Sequence, residues 1–144
     1  MQIRRARPDE TDLLFQIWRS AVEATHHFLA PADLETISEM VRDQYLPSAE
    51  LWVATDEEDR PLAFMGMTDD MVDTLFVAPS AHRRGVGRAL MAHARALAGP
   101  LRVDVNEQND GALAFYRRLG FQIMGRSDRD SAGMPYPLLH LSEG

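Results

Sequence analysis

No cysteine occurs among the 144 residues of this chain. That excludes disulfides, thiolate metal sites and a cysteine nucleophile, and leaves the compartment open. No apolar run is long enough to cross a bilayer. Arg4, Arg5 and Arg7 stand near the N-terminus without an apolar stretch behind them, so the start does not read as a secretory signal, and the expected location is cytoplasmic. Repeats, low-complexity segments and linker-like stretches are missing too, so one domain over residues 1–144 is expected, a usual size for a chain with a real core. Positive charge is scarce: 15 Lys and Arg face 22 Asp and Glu, a net charge of −7. An acidic balance with no extended basic, aromatic-rich face argues against nucleic acid as a partner. His26 and His27 are adjacent and have no further ligand at chelating spacing, so no metal site is expected.

Against that acidic background one spot is basic. The strand-like run Leu75-Phe76-Val77 ends in Ala78-Pro79, and His82-Arg83-Arg84-Gly85-Val86-Gly87-Arg88 leads into a helical pattern. Glycines let a backbone approach a ligand closely. The first turn of a helix offers N–H groups without intrahelical partners at its positive end. Together they make an anion grip, and Arg83, Arg84 and Arg88 add charge to it. A P-loop reading fails because Arg88-Ala89 follows Gly87 where Lys-Ser/Thr is required. A dinucleotide fingerprint fails because Leu90 occupies the place of its third glycine.

A second cluster follows at Asn109, Ala112, Phe115, Tyr116, Gly120 and Phe121. Asn109 is a good N-cap. Ala112, Phe115, Tyr116 and Leu119 share one helical face. Gly120 is placed to end the helix left-handed.

The wider pattern alternates. Ile3–Ala6 reads as a strand. Asp9 is the expected N-cap of a helix with Leu14, Ile17, Trp18, Ala21 and Val22 inward. A second helix opens at Pro31, with Leu34, Ile37 and Val41 inward, and is expected to end at Leu46-Pro47. Leu51–Thr55, Leu62–Met67 and Met71–Val77 read as strands. The glycine-started helix runs to about Ala98 with Val86, Leu90, Ala94 and Leu97 inward. Leu101–Val105, the Asn109 helix, Phe121–Ser127 and Pro137–Leu141 complete an α/β order.

The first cluster resembles the Gln/Arg-x-x-Gly-x-Gly/Ala motif of the GCN5-related N-acetyltransferase (GNAT) superfamily. The second resembles that superfamily's Asn-x-x-Ala-x-x-Phe-Tyr-x-x-x-Gly-Phe signature. Segments such as Trp18–Val22, Ala24–Leu29, Asn106–Asn109 and Pro135–Leu138 are similar to its YjaB-like bacterial branch. The resemblance implies a GNAT fold: a strongly twisted mixed sheet of six to seven strands, helices on both faces, and a splay between strands four and five. It also implies acetyl-CoA as donor, a primary amine of a small molecule or protein as acceptor, and a monomer or homodimer. The pyrophosphate is expected at His82, Arg83, Arg84, Gly85, Val86, Gly87 and Arg88. His82 departs from the motif, because a neutral imidazole is a weaker phosphate contact than guanidinium.

By the same resemblance, Tyr116 protonates the departing thiolate, Asn109 holds the pantetheine arm beside Phe115, and a backbone N–H near a bulge at Leu75, Phe76 or Val77 meets the oxyanion. A phenol keeps its proton at neutral pH, as an acid must. Asp73 stands where family members carry the general base, one methylene shorter than the usual Glu. His26 and His27, in the loop that borders the acceptor, are the other candidates. A non-catalytic acyl-CoA-binding or sensing module on the same fold is the alternative function.

Overall fold

The computed structural model describes residues 1–143. Seven strands form one sheet in the order β1-β2-β3-β4-β5-β7-β6: β1 Gln2–Arg5, β2 Leu51–Thr55, β3 Pro61–Thr68, β4 Met71–Val77, β5 Arg102–Asn106, β6 Gln122–Ser127 and β7 Leu138–Ser142. The first four strands run antiparallel to their neighbours, as do β5, β7 and β6. The two halves join through the parallel pair β4–β5, whose register contains Met71–Arg102 and Val72–Val103. Beyond Val72 the strands diverge, while β5 stays paired to β7 from Arg102 to Asn106. The expected mixed sheet and its splay are both present.

Helices cover both faces, so the central strands are apolar on both sides. On β3, Ala63 and Met65 join one core cluster and Phe64 joins the other. Helix α1, Thr11–Thr25, buries Leu14, Ile17, Trp18, Ala21 and Val22, the stripe its periodicity predicts. On the opposite face α4, Val86–Ala98, and α5, Asp110–Arg118, enclose Leu90, Met91, Ala94, Val103, Tyr116, Phe121 and Leu141.

Local expectations need correcting in four places. Asp9 is not the cap of α1. A 3₁₀ turn, Pro8–Glu10, precedes it, and Glu10 takes the Arg7 N–H at 2.8 Å while pairing with Arg4. The second helical run ends one residue past Leu46-Pro47, but it is not one regular α-helix. Helix α2, Pro31–Met40, passes through a π turn, Val41–Tyr45, into the short α3, Leu46–Ser48, where Pro47 lies in the first turn and needs no N–H partner. Leu97 lies on the right stripe but is 55% exposed, because the last turn of α4 overhangs an open cavity of about 220 Å³ lined by Arg5, Trp52 and Met67. The β4 bulge lies earlier than Leu75–Val77. Gly66 pairs with Thr74 and Met67 with Val72, so Asp73 is the extra residue, and the register from Thr74 to Val77 is regular.

Candidate active site

The segment expected to grip an anion turns sharply between β4 and the helix that follows it. The chain leaves β4 through a 3₁₀ turn, Pro79–Ala81, and α4 starts with Gly85 in a left-handed conformation, φ +76°. Arg83 is left-handed as well, φ +65°, a conformation that costs an L-residue roughly 1–2 kcal/mol. Alternation of left-handed with ordinary backbone curls a chain into the kind of concavity that gathers N–H groups around an anion. The first backbone bond into the helix is Ala89 N–H to Gly85 O, 3.0 Å, so the N–H groups before it point out of the helix end without an intrahelical acceptor. Arg83, Arg84 and Arg88 are free of ion pairs among the described residues, whereas Arg4, Arg19, Arg60 and Arg126 are all paired with carboxylates. The loop guanidinium groups therefore keep their charge available. His82 serves the loop differently. Its Nε2 hydrogen-bonds the Val77 carbonyl at 3.2 Å, which ties the loop to the strand end.

Gly87 and Gly85 do different jobs. A Cβ on Gly85 meets nothing within 4 Å, so its requirement is conformational. A Cβ on Gly87 would lie 3.3 Å from Phe115 Cζ and 3.7 Å from Val77 Cγ2, so its requirement is packing. Phe115 thus reaches from α5 to the start of α4 and the end of β4. Asn109 caps α5 by accepting the Ala112 N–H at 3.1 Å, and Gly120 follows the helix at φ +99°. Tyr116 is buried, 8% exposed, between Phe115 and Phe121, at ring-centroid distances of 5.1 and 5.4 Å. Its hydroxyl has no hydrogen-bond partner among the described residues, and burial pushes its pKa up, so it holds its proton across the physiological range.

Along the open edge of β4 the alternation of the strand assigns the donors. Ala78 N–H turns to Leu62 on β3, 2.9 Å. By the two-residue repeat Phe76 faces β3 as well, and Leu75 and Val77 direct their N–H groups to the other edge, where β5 has departed. At the bulge, Asp73 is exposed and its carboxylate accepts the Thr68 hydroxyl at 2.6 Å.

The α1–α2 loop packs against the chain before β7. His26 is half-buried against Phe28, at 5.2 Å between ring centroids, with Nδ1 2.7 Å from Thr25 Oγ1. Burial, aided by His27, pushes the His26 pKa down to about 4. His27 is exposed, and its Nε2 bonds the Ala24 carbonyl at 3.0 Å. Phe28 packs on Tyr136, whose hydroxyl accepts from Ala30 N–H and donates to Asp33 Oδ2.

One group escaped the sequence reading. Tyr45 and Thr74 share a 2.8 Å hydrogen bond between hydroxyls, and Gly66 N–H donates to the same Thr74 oxygen at 3.0 Å. A Cβ on Gly66 would stand 2.3 Å from the Tyr45 hydroxyl. The π turn aims Tyr45 at the strand residue next to Asp73. Gly66 inside an apolar strand was the available signal for a close approach there.

A GNAT acetyltransferase domain model matches residues 47–123, from the short α3 to β6. The chain belongs to the GNAT acetyltransferase family. It is an enzyme, an acyltransferase of the N-acetyltransferase type. Among GNAT proteins it is similar to the peptidyl-lysine N-acetyltransferase YjaB of Salmonella typhimurium strain LT2, with 45% identity over 98% of this chain and 97% of that protein. The solution structure of apo-form YjaB from Escherichia coli superposes with a TM-score of 0.94 at 44% identity, over 99% of this chain and 96% of that one. The PaiA N-acetyltransferase of Thermoplasma acidophilum, solved in complex with coenzyme A, shares the fold with a TM-score of 0.76 at 15% identity, over 97% and 98% of the two chains.

Proposed function

We propose that the chain moves the acetyl group of acetyl-CoA to the ε-amine of a lysine side chain in a protein or peptide, by direct transfer in the β4–β5 splay, in the cytoplasm. The observation that carries this reading is the convergence at that opening. The donor edge at Leu75 and Val77 faces the gap that begins after Val72 and Val103, the curled arginine loop follows the end of β4, and Phe115, the neighbour of Tyr116, reaches toward Gly87 and Val77. Acetyl-CoA supplies an activated thioester carbonyl. Backbone N–H groups of the loop, with Arg83, Arg84 and Arg88, hold its pyrophosphate. Asn109 and Phe115 line the path of its pantetheine arm. Leu75 or Val77 N–H polarises the carbonyl oxygen, and preorganised donors of this kind contribute roughly 10²–10³ in rate.

Tyr116, the expected proton donor, directs its hydroxyl hydrogen to the departing sulfur. A buried phenol is less acidic than an alkyl thiol, whose ordinary pKa is near ~8.5, so the hydroxyl acts chiefly by hydrogen bonding to developing thiolate charge. Asp73 takes the amine proton through water, with Thr68 holding its carboxylate. His26 is engaged otherwise, with its ring packed on Phe28 and its Nδ1 at Thr25 Oγ1. His26, Phe28 and Tyr136 instead form the acceptor wall. The lysine assignment rests on the relatives named peptidyl-lysine N-acetyltransferases, and an acidic protein attracts a cationic acceptor.

Thiol release from acetyl-CoA with lysine peptides, free polyamines and aminoglycosides as acceptors tests the proposal. Release with lysine peptides, and acetyl-lysine in the product, is expected. Release with a small amine alone would move the acceptor class, and no release with tight acetyl-CoA binding would support a sensing module.

A further inference from the structure

Acetyl transfer leaves one reactive cluster unused. Asp104 on β5, His140 on β7 and Ser127 on β6 lie side by side across three neighbouring strands, and Asp104 and His140 are direct register partners. His140 Nδ1 is 2.7 Å from Asp104 Oδ1, and His140 Nε2 is 2.6 Å from Ser127 Oγ. Chemistry fixes the protons. An ionised carboxylate can only accept, so Nδ1 carries hydrogen. The neutral ring then has a lone pair at Nε2, and Ser127 is the donor. This is the polarity in which an imidazole works as a base on a hydroxyl while a carboxylate holds its tautomer.

A bulge builds the arrangement. Ile123 pairs with Leu141 and Gly125 with His140, so Met124 is an extra residue in β6. With no bulge, Met124 would oppose His140 and Arg126 would oppose Leu138, because a one-residue slip exchanges the faces of a strand. The insertion moves Gly125 and Ser127 onto the face of His140. Gly125 sets no side chain over the imidazole, and the side chains of His140 and Asp104 are 39% and 37% exposed, so a substrate has access.

We infer that Ser127, His140 and Asp104 form a second catalytic site, a serine nucleophile that hydrolyses esters of short carboxylic acids. Ser127 Oγ bonds to the ester carbonyl carbon as its proton passes to His140 Nε2. The ester C–O bond breaks, and the alcohol leaves with that proton. Water then attacks the acyl-serine, again losing a proton to Nε2. The acid departs as Ser127 Oγ regains the proton. Asp104 stays ionised throughout.

p-Nitrophenyl acetate is the probe, with the intact chain. The protein has no lysine, its 15 basic residues all being arginine, so side-chain amines cannot capture the acetyl group. Peptide mapping then separates Ser127 from the α-amine. Nitrophenolate release with an acetyl adduct on Ser127 is expected. Ser127→Ala should lose the adduct and most of the release, and Asp104→Asn should lower the rate by ~10²–10⁴ through the wrong tautomer. Acetyl-CoA-dependent transfer to a lysine peptide should be unchanged in Ser127→Ala, which keeps this test separate from the proposed acetyltransferase. Wild-type protein without an adduct on Ser127, or with release equal to that of Ser127→Ala, overturns the inference.

Discussion

Gly87 and Phe115 meet across the mouth of the splay, where a single methyl group on the glycine would stand 3.3 Å from the ring. The two sequence motifs therefore lie side by side, with no room for a side chain between them. The glycine needed at the start of α4 is spared a side chain by the aromatic from α5, as well as by any phosphate in front of it.

Gly87→Val should push Phe115 aside, weaken acetyl-CoA binding and destabilise the fold by about 1–3 kcal/mol, the usual cost of overpacking. Gly85→Ala should weaken binding through backbone strain of roughly 1–2 kcal/mol and leave the aromatic packing intact. Calorimetric titration with acetyl-CoA, urea unfolding and near-ultraviolet circular dichroism distinguish them. Full affinity in a folded Gly87→Val protein would remove the grip assignment.

Tyr116→Phe keeps the ring between Phe115 and Phe121 and removes the hydroxyl. Turnover should fall by about 10², the lower end for general acid catalysis, because a thiolate leaves readily. Acetyl-CoA affinity should be little changed. Full turnover would make Tyr116 a packing residue, and a loss confined to affinity would make the hydroxyl a binding contact.

Asp73→Asn should lower turnover at neutral pH and recover in part as the pH approaches the lysine range near ~10.4, where free amine accumulates. His26→Gln should stay within a few-fold of wild type at neutral pH. Steady-state pH profiles of both variants decide the matter, and the reverse pattern would transfer the base to His26.

His26 also makes stability depend on pH. Its folded pKa is about 4, against an ordinary value of 6.5. Between those values the unfolded chain binds a proton that the folded chain refuses, so acidification from 6.5 toward 4 favours unfolding. Glu10 and Asp59, held below the usual carboxylate range by Arg4, add their losses at lower pH. Thermal unfolding between pH 4.5 and 6.5 should show a shallower decline for His26→Gln than for wild type. Parallel curves would mean that His26 titrates normally.

Much of the fold was legible from one dimension because it depends on local rules. The inward stripe of α1, the Asn109 cap, the left-handed Gly120, and the bounds of β2 and β4 follow from periodicity, capping and backbone sterics within a few residues. The two motifs carried the family by themselves. Where the local rules compete, the reading slipped. Asp9 has the chemistry of a cap, but the chain enters α1 through a 3₁₀ turn in which Glu10, paired with Arg4 on β1, accepts the Arg7 N–H. Pro47 marks the end of the second helical run to within a residue, but the π turn before it, Val41–Tyr45, has no signal in the periodicity.

What the sequence alone determined is the inventory: an acidic chain without thiols, an arginine-rich glycine turn, a capped aromatic helix, and the α/β alternation that carries them. Only the tertiary structure decided which groups face one another. Register is a property of pairs of strands, and the bulges at Asp73 and Met124 reverse the faces of the residues that follow without leaving a mark in composition or period. Burial likewise exists only after packing, which is why the pKa shifts of Tyr116 and His26 could not be read from the residues in line. The hydrogen bonds from Tyr45 to Thr74 and from Ser127 through His140 to Asp104 join segments far apart in the chain, and no local pattern encodes a contact of that kind.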